Sequence, residues 1–84
     1  MNVQVFDTHV TTSDGRYLHF DVLVEPELAG SAKQFATQFL ASRGVSADNI
    51  RQQSCAFCHN EIGTPAVIAA IKTQQFAIIP LQGC

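Results

Sequence analysis

The segment YLHFDVLV, Tyr17 to Val24, alternates strongly apolar side chains with other side chains, and this alternation constrains the fold more than any other feature of the chain. Successive side chains of a β-strand point to opposite faces, so the segment predicts a strand with one strongly apolar face. We expect that face to lie in the core. Its members are Leu18, Phe20, Val22 and Val24.

A second strand, residues 2–10, precedes this one and is rich in Val and Thr. The intervening Thr12-Ser13-Asp14-Gly15 favours a tight turn in which Gly15 takes a positive φ, so the two segments predict a β-hairpin. A type I turn with a bulge at Gly15 sets one register, whereas a two-residue turn would change it. In the first case the opposite pairs are Val10 with Leu18, Phe6 with Val22, Asp7 with Asp21, and His9 with His19.

Two helices are predicted from apolar spacing and from their terminal residues. The first begins near Ser31, whose hydroxyl can cap the first amides while Gln34 reaches back, and it ends at Gly44. The second begins at Thr64-Pro65, a cap followed by a favoured first-turn residue, and ends near Thr73. The apolar faces are Ala32, Phe35, Ala36, Phe39 and Leu40 in the first helix, and Val67, Ile68 and Ile71 in the second.

Two further strands complete the chain: a short polar strand at 49–54, expected at a sheet edge, and a last strand at 76–81. With 84 residues the chain is too short for two domains. The order ββαβαβ therefore predicts a single α+β domain over residues 1–84, with a mostly antiparallel or mixed four-stranded sheet and both helices packed on one face. The polar edge would also suit sheet pairing with a protein partner or in a homodimer.

Charge and hydropathy exclude several classes of partner. The net charge is −2 and the basic residues are scattered, so we predict no nucleic-acid partner. No apolar run approaches the roughly 20 residues that cross a bilayer, and the N-terminus lacks a signal-peptide pattern, so we predict no membrane partner and a cytoplasmic location. The basic residues are Arg16, Lys33, Arg43, Arg51 and Lys72.

The segment CAFCH, Cys55 to His59, carries the strongest candidate site. In a reducing compartment the three cysteines favour metal binding or thiol chemistry over a disulfide framework. Two thiolates at C-x-x-C spacing in a turn are typical of zinc sites, which need four ligands, so zinc is the candidate cofactor. The candidate ligands are Cys55, Cys58 and Cys84, with His59, His19, a water molecule or a partner's residue as the fourth.

Other interpretations of the cysteines stay open. Thiol-redox or sulfur-handling chemistry would use the same three residues, Cys55, Cys58 and Cys84. The C-x-x-C-H pattern also fits covalent haem attachment, although such proteins are exported. The simplest alternative is that the thiols stay reduced and fill space around Phe57.

A second group of polar residues would share one face of the predicted hairpin as an acid–imidazole cluster: Asp7, His9, His19 and Asp21. Asp7 and Asp21 lie directly opposite each other and repel unless a cation lies between them. The alternative is a solvated outer face. The chain has no nucleophile elbow, phosphate-binding glycine loop or H-E-x-x-H motif, so we expect a non-enzymatic binding or accessory domain rather than an enzyme.

Four segments follow one another over essentially the whole chain: VFDTHV at 5–10, HFDVLV at 19–24, CAFCH at 55–59 and LQGC at 81–84. In this order and spacing they resemble a small bacterial family known as domain of unknown function 2024. The resemblance implies a small α+β fold of bacterial origin and no assigned activity. In the family pattern the position of His9 is aromatic, with tyrosine, and this chain departs from the pattern there.

Overall fold

The computed structural model describes all 84 residues of the chain. Its elements are β1 (Asn2–Thr12), β2 (Tyr17–Val24), α1 (Ala32–Ser42), β3 (Ile50–Ile62), α2 (Pro65–Gln74) and β4 (Phe76–Gln82), with short 3₁₀ helices at Pro26–Ser31 and Ala47–Asn49. The four strands form one antiparallel sheet in the spatial order β3-β1-β2-β4, which leaves β3 and β4 at the two edges. The predicted α+β class and ββαβαβ order are confirmed.

The β1–β2 hairpin has the register that a bulged turn predicts. Gly15 adopts a φ of +89°, and its amide donates to the Thr12 carbonyl at 3.1 Å. A positive φ costs glycine little because it has no Cβ. All four predicted pairs are confirmed: Val10 with Leu18, Phe6 with Val22, Asp7 with Asp21, and His9 with His19.

The two helices cover opposite faces of the sheet, which corrects the prediction that both pack on one face. Val22 lies in the larger core cluster with the buried residues of α1, whereas the next residue, Leu23, lies in the smaller cluster with Val67 and Ile71 of α2. Since successive strand side chains point to opposite faces, the two clusters lie on the two sides of the sheet. The end of β2 is apolar on both faces, so each face needs its own cover.

Helix α1 keeps its predicted apolar stripe but not its predicted cap. All five stripe residues are buried. Ser31 lies at the N-cap position, but its side chain makes no capping hydrogen bond. The preceding 3₁₀ helix runs directly into α1, and the Ala32 amide donates to the Ala29 carbonyl, so backbone bonds replace the cap. After the helix Gly44 turns the chain with a φ of +78°, as predicted for the stop.

Helix α2 begins as the sequence predicts. The Thr64 hydroxyl accepts a hydrogen bond from the Val67 amide at 3.3 Å, and Pro65 occupies the first turn. The helix extends to Gln74, close to its predicted end, and Gln75 follows in the left-handed conformation with a φ of +78°. Neither α-helix is long and apolar enough to cross a membrane.

Strand β3 lies at a sheet edge, as predicted, but it is much longer than the predicted 49–54 segment. It continues to Ile62, so Cys55 and Cys58 lie within a strand and not in a turn that follows one. The pairing with β1 holds through this segment, with a register shift that leaves Cys58 without a partner on β1. The strand is mostly exposed and polar on both faces, so its sequence lacks the apolar alternation that would have revealed its length.

Candidate functional site

The sheet face that α2 covers is apolar at one end and polar at the other. Helix α2 packs over the end that carries Val5 and Leu23. Every second residue along β1 and β2 points to this same face. Beyond the apolar cluster beneath α2, the side chains on this face are polar. This polar end forms the acid–imidazole cluster, whose members are Asp7 and His9 on β1 and His19 and Asp21 on β2.

The Asp7 carboxylate lies at the centre of the acid–imidazole cluster. Its Oδ2 atom lies 2.8 Å from His9 Nε2, and its Oδ1 atom lies 2.6 Å from His19 Nε2. The two imidazole rings stack with centroids 4.1 Å apart and an interplanar angle of 12°. One ligand atom from each of the three residues lies within 4.8 Å of the other two. The sheet thus brings one carboxylate and two imidazoles to a single point.

Tyr17 extends the cluster along β2. Its hydroxyl lies 2.5 Å from His9 Nδ1. In neutral His9 the Nε2 nitrogen donates to Asp7, so Nδ1 accepts from the Tyr17 hydroxyl. The sequence interpretation missed Tyr17. The available signal was that Tyr17 shares a strand face with His19 and lies diagonally across from His9, within reach of an aromatic side chain.

The two aspartates of the cluster have opposite electrostatic environments. The hydrogen bond from His19, followed by the one from His9, lowers the pKa of the Asp7 carboxyl from its ordinary value. The pKa of Asp21 is raised, first by burial and then by the charge of Asp7, which lies directly opposite. Asp7 therefore holds its negative charge firmly, while Asp21 holds its charge at a cost to stability.

The cluster is open to solvent on its outer side. The side chains of Asp7 and His9 are each 39% exposed, and that of His19 is 26% exposed. The strongly hydrogen-bonded hairpin fixes the backbone beneath them. A carboxylate oxygen and two imidazole nitrogens are ligands that first-row divalent metals accept, and solvent can reach the remaining coordination positions.

The predicted cysteine ligands are not brought together within one chain. Cys55 and Cys58 lie on β3, and Cys84 follows β4, so β1 and β2 separate the strands that carry them. At about 4.8 Å between neighbouring strands, the two sheet edges are roughly 14 Å apart. Cys84 instead lies beside β2, with its Sγ atom 3.9 Å from the His19 carbonyl oxygen.

The two residues of the C-x-x-C pair also face different surroundings. Cys55 is half-buried, and its Sγ atom lies 3.4 Å from the hydroxyl of the buried Thr8, on the face that α1 covers. Cys58 is exposed, with its Sγ atom 3.2 Å from Nδ1 of His59. Three residues along a strand span about 10 Å, beyond the roughly 7 Å limit between Cα atoms for a disulfide. The pair is therefore not poised to form one.

The predicted histidine ligands separate in the same way. His19 lies in the acid–imidazole cluster on β2, opposite His9. His59 lies on the edge strand β3 opposite Val5, and its ring contacts Cys58. Of the five ligands expected from the sequence, His19 is the one that the structure brings together with other ligand groups at a three-residue centre.

Comparisons with known proteins agree with the fold. The family model described as domain of unknown function (DUF2024) matches residues 1–81. The NMR structure of protein NE1680 from Nitrosomonas europaea is similar, with 36% sequence identity, a TM-score of 0.80, and coverage of 100% of this chain and 99% of that chain. Among curated proteins there is no significant match. Because the family model spans nearly the whole sequence, the chain belongs to the DUF2024 family.

Proposed function

We propose that this chain is a non-enzymatic binding or accessory domain that holds a divalent metal ion through Asp7, His9 and His19. Zinc is the first candidate. The observation that carries the proposal is the convergence of their three ligand atoms within 4.8 Å. Zinc accepts carboxylate oxygen and imidazole nitrogen, and an open site typically has three protein ligands and one position for water or a partner. The proposal keeps zinc as the cofactor but moves it from the cysteines to the sheet face.

The hydrogen bonds of the cluster are compatible with metal binding. Both Nε2 atoms now donate to Asp7, so each must give up its proton to become a ligand. Neutral His9 does so by carrying its proton on Nδ1, which then donates to the Tyr17 oxygen 2.5 Å away. Such an outer hydrogen bond orients a metal-bound imidazole and fixes its tautomer. Tyr17 would therefore serve as the outer partner of the site.

Charge supports a cation at this place as well. Asp7 and Asp21 face each other across the hairpin, and the charge of Asp7 contributes to the raised pKa of Asp21. A bound cation would relieve this repulsion.

The position of the cluster favours binding over catalysis. The two grooves of the surface lie elsewhere, one between α1, α2 and β4 and the other at the β1–β2 turn. A metal at the cluster would thus face open solvent, where a side chain of a protein partner or of a second copy can complete its coordination. A cytoplasmic location, as expected from the sequence, would keep the exposed thiols of Cys58 and Cys84 reduced.

The test is a calorimetric titration of the untagged protein with zinc chloride. We expect one zinc ion per chain, and we expect His19→Gln to weaken binding at least about tenfold, since a ligand loss should cost no less than an outer-partner loss. His59→Gln is the matched control, because it removes an exposed histidine from the same sheet. Equal affinity in the wild type and His19→Gln would refute the proposal. A loss of binding in Cys58→Ser alone would return the metal to the cysteines.

A further inference from the structure

Three reactive side chains, those of Cys58, His59 and Glu61, lie close together on the exposed edge strand β3, outside the acid–imidazole cluster. The Cys58 Sγ atom lies 3.2 Å from Nδ1 of His59, within hydrogen-bonding distance for sulfur. The other ring nitrogen of His59, Nε2, lies 3.7 Å from the Glu61 carboxylate. The order is thiol, imidazole, carboxylate, which places a base in contact with a nucleophile and an acidic group near the base, beyond hydrogen-bonding distance.

The register shift in β3 explains why neighbouring residues can interact. Phe57 pairs with Phe6 and His59 pairs with Val5, so Cys58 is the extra residue of a bulge. Side chains of adjacent residues in a regular strand point to opposite faces and cannot meet. A bulge redirects one of them and leaves the extra residue unpaired, which here lets Cys58 contact His59 while remaining exposed.

We propose that Cys58 is a thiol modification site that undergoes exchange with small disulfides, assisted by His59, whose ring lies near the Glu61 carboxylate. His59 accepts the proton of the Cys58 thiol as the sulfur attacks one sulfur of the disulfide. The disulfide bond breaks as the new bond to Cys58 forms, and the departing sulfur takes the proton from His59. One thiol and one disulfide thus give a mixed disulfide and one released thiol, with no other oxidant required.

The other two cysteines have surroundings that disfavour the same reaction. Cys84 is exposed, but its Sγ atom approaches only carbonyl oxygens, those of His19 at 3.9 Å and Gln82 at 3.6 Å. Neither carbonyl oxygen is a base that can take the proton of the thiol. Cys55 is half-buried against Thr8.

The positions of Cys55 and Cys58 also determine whether a mixed disulfide at Cys58 can be resolved within the chain. Cys55 is about 10 Å from Cys58 along the strand and lies against the core, so it cannot resolve a mixed disulfide at Cys58. The adduct at Cys58 therefore persists until an external thiol removes it. This predicts a reversible single-thiol site and not a dithiol oxidoreductase of the C-x-x-C type.

The test is exposure of the folded, untagged protein to excess oxidised glutathione in the presence of a chelator, with modification followed at each cysteine by peptide mass spectrometry. General-base assistance at an exposed site should make Cys58 react at least about tenfold faster than Cys84, with Cys55 slowest. His59→Gln should remove most of this advantage and leave the Cys84 rate unchanged, and Glu61→Gln should give a smaller loss.

Two results would overturn the inference: equal rates at Cys58 and Cys84 in the folded protein, or an unchanged Cys58 rate in His59→Gln. The same reaction in denaturant serves as the control, because the three thiols should then react at similar rates. Since chelator is present and no metal takes part, failure here leaves the proposed zinc site untouched.

Discussion

The Asp7 carboxylate on β1 accepts a hydrogen bond from His19 on β2, with 2.6 Å between Oδ1 and Nε2. The two residues are not directly opposite each other, because Asp7 faces Asp21 and His19 faces His9. The diagonal contact, together with the 2.8 Å bond from His9 along the same strand, draws three side chains to one point. The proposed zinc site depends on this convergence.

Replacement of Asp21 by asparagine should change how stability depends on pH. The pKa of Asp21 is raised in the folded protein, first by burial and then by Asp7, so the folded state holds this proton more tightly than the unfolded state. The stability contributed by this group therefore falls as pH rises from 3.8 through the raised pKa, and the loss is complete above it. We expect Asp21→Asn to be more stable than the wild type at neutral pH, by less than about 1 kcal/mol after solvent screening.

Urea unfolding of both proteins, without metal, between pH 3 and pH 7 checks this expectation. The difference between Asp21→Asn and the wild type should shrink as the pH falls, since the wild-type carboxyl becomes protonated. A variant that is less stable than the wild type at neutral pH would contradict the repulsion between Asp21 and Asp7.

Tyr17→Phe tests whether the Tyr17 hydroxyl supports the proposed zinc site through His9. The substitution removes the hydroxyl that lies 2.5 Å from His9 Nδ1 and keeps the aromatic ring. Loss of an outer hydrogen bond to a metal-bound histidine typically weakens metal binding about 10-fold to 100-fold. We expect a decrease in this range in zinc affinity, with the thermal unfolding midpoint of the metal-free protein changed little. Unchanged zinc affinity would show that Tyr17 does not support the site.

Leu23→Ala tests the placement of α2 on its own sheet face. Leu23 is 1% exposed and packs in the cluster that contains Val67 and Ile71 of α2. Truncation of a buried leucine typically costs about 2–5 kcal/mol. Ile62→Ala is the control, because Ile62 is 70% exposed and should change stability by less than about 0.5 kcal/mol. Equal free energies of unfolding for the two variants would contradict the second core.

Gly83→Ala tests the contact between the C-terminal tail and β2. Gly83 has a φ of +75°, and a Cβ atom there would clash with the Tyr17 carbonyl oxygen. We expect the tail to detach, at a cost of roughly 1 kcal/mol, and the amides near Tyr17 to exchange faster with solvent. Gly30→Ala is the control, since an added Cβ meets nothing there within 4 Å. Identical hydrogen exchange in the two variants would contradict the tail contact.

The hairpin and its polar cluster could be predicted because local chemistry specifies both. Gly15 sets the bulged turn, the turn sets the register, and the register puts His9 opposite His19. The hydrogen bonds to Asp7 and the contact of Tyr17 with His9 depend on side-chain rotamers, and the spacing of residues in the sequence does not determine these rotamers.

The errors have physical causes of a different kind. The run Val22-Leu23-Val24 is apolar on both faces of the sheet. The prediction considered only the face that carries Val22 and Val24, and it therefore put α2 on the same face as α1. The length of β3 escaped detection because an exposed edge strand needs no apolar alternation. The bulge that brings the side chains of Cys58 and His59 into contact arises from the pairing of β3 with β1. This pairing is a non-local interaction, and the sequence of the segment alone does not specify it.

The central claim is tested most directly by native mass spectrometry of the untagged protein after addition of one equivalent of zinc, beside Asp7→Asn treated in the same way. We predict one zinc ion per chain in the wild type, lost on acidification, and no zinc in Asp7→Asn. The same spectra report whether a second copy joins to complete the coordination. A wild-type chain that remains bare, or an Asp7→Asn chain that retains the zinc, would contradict the proposed site.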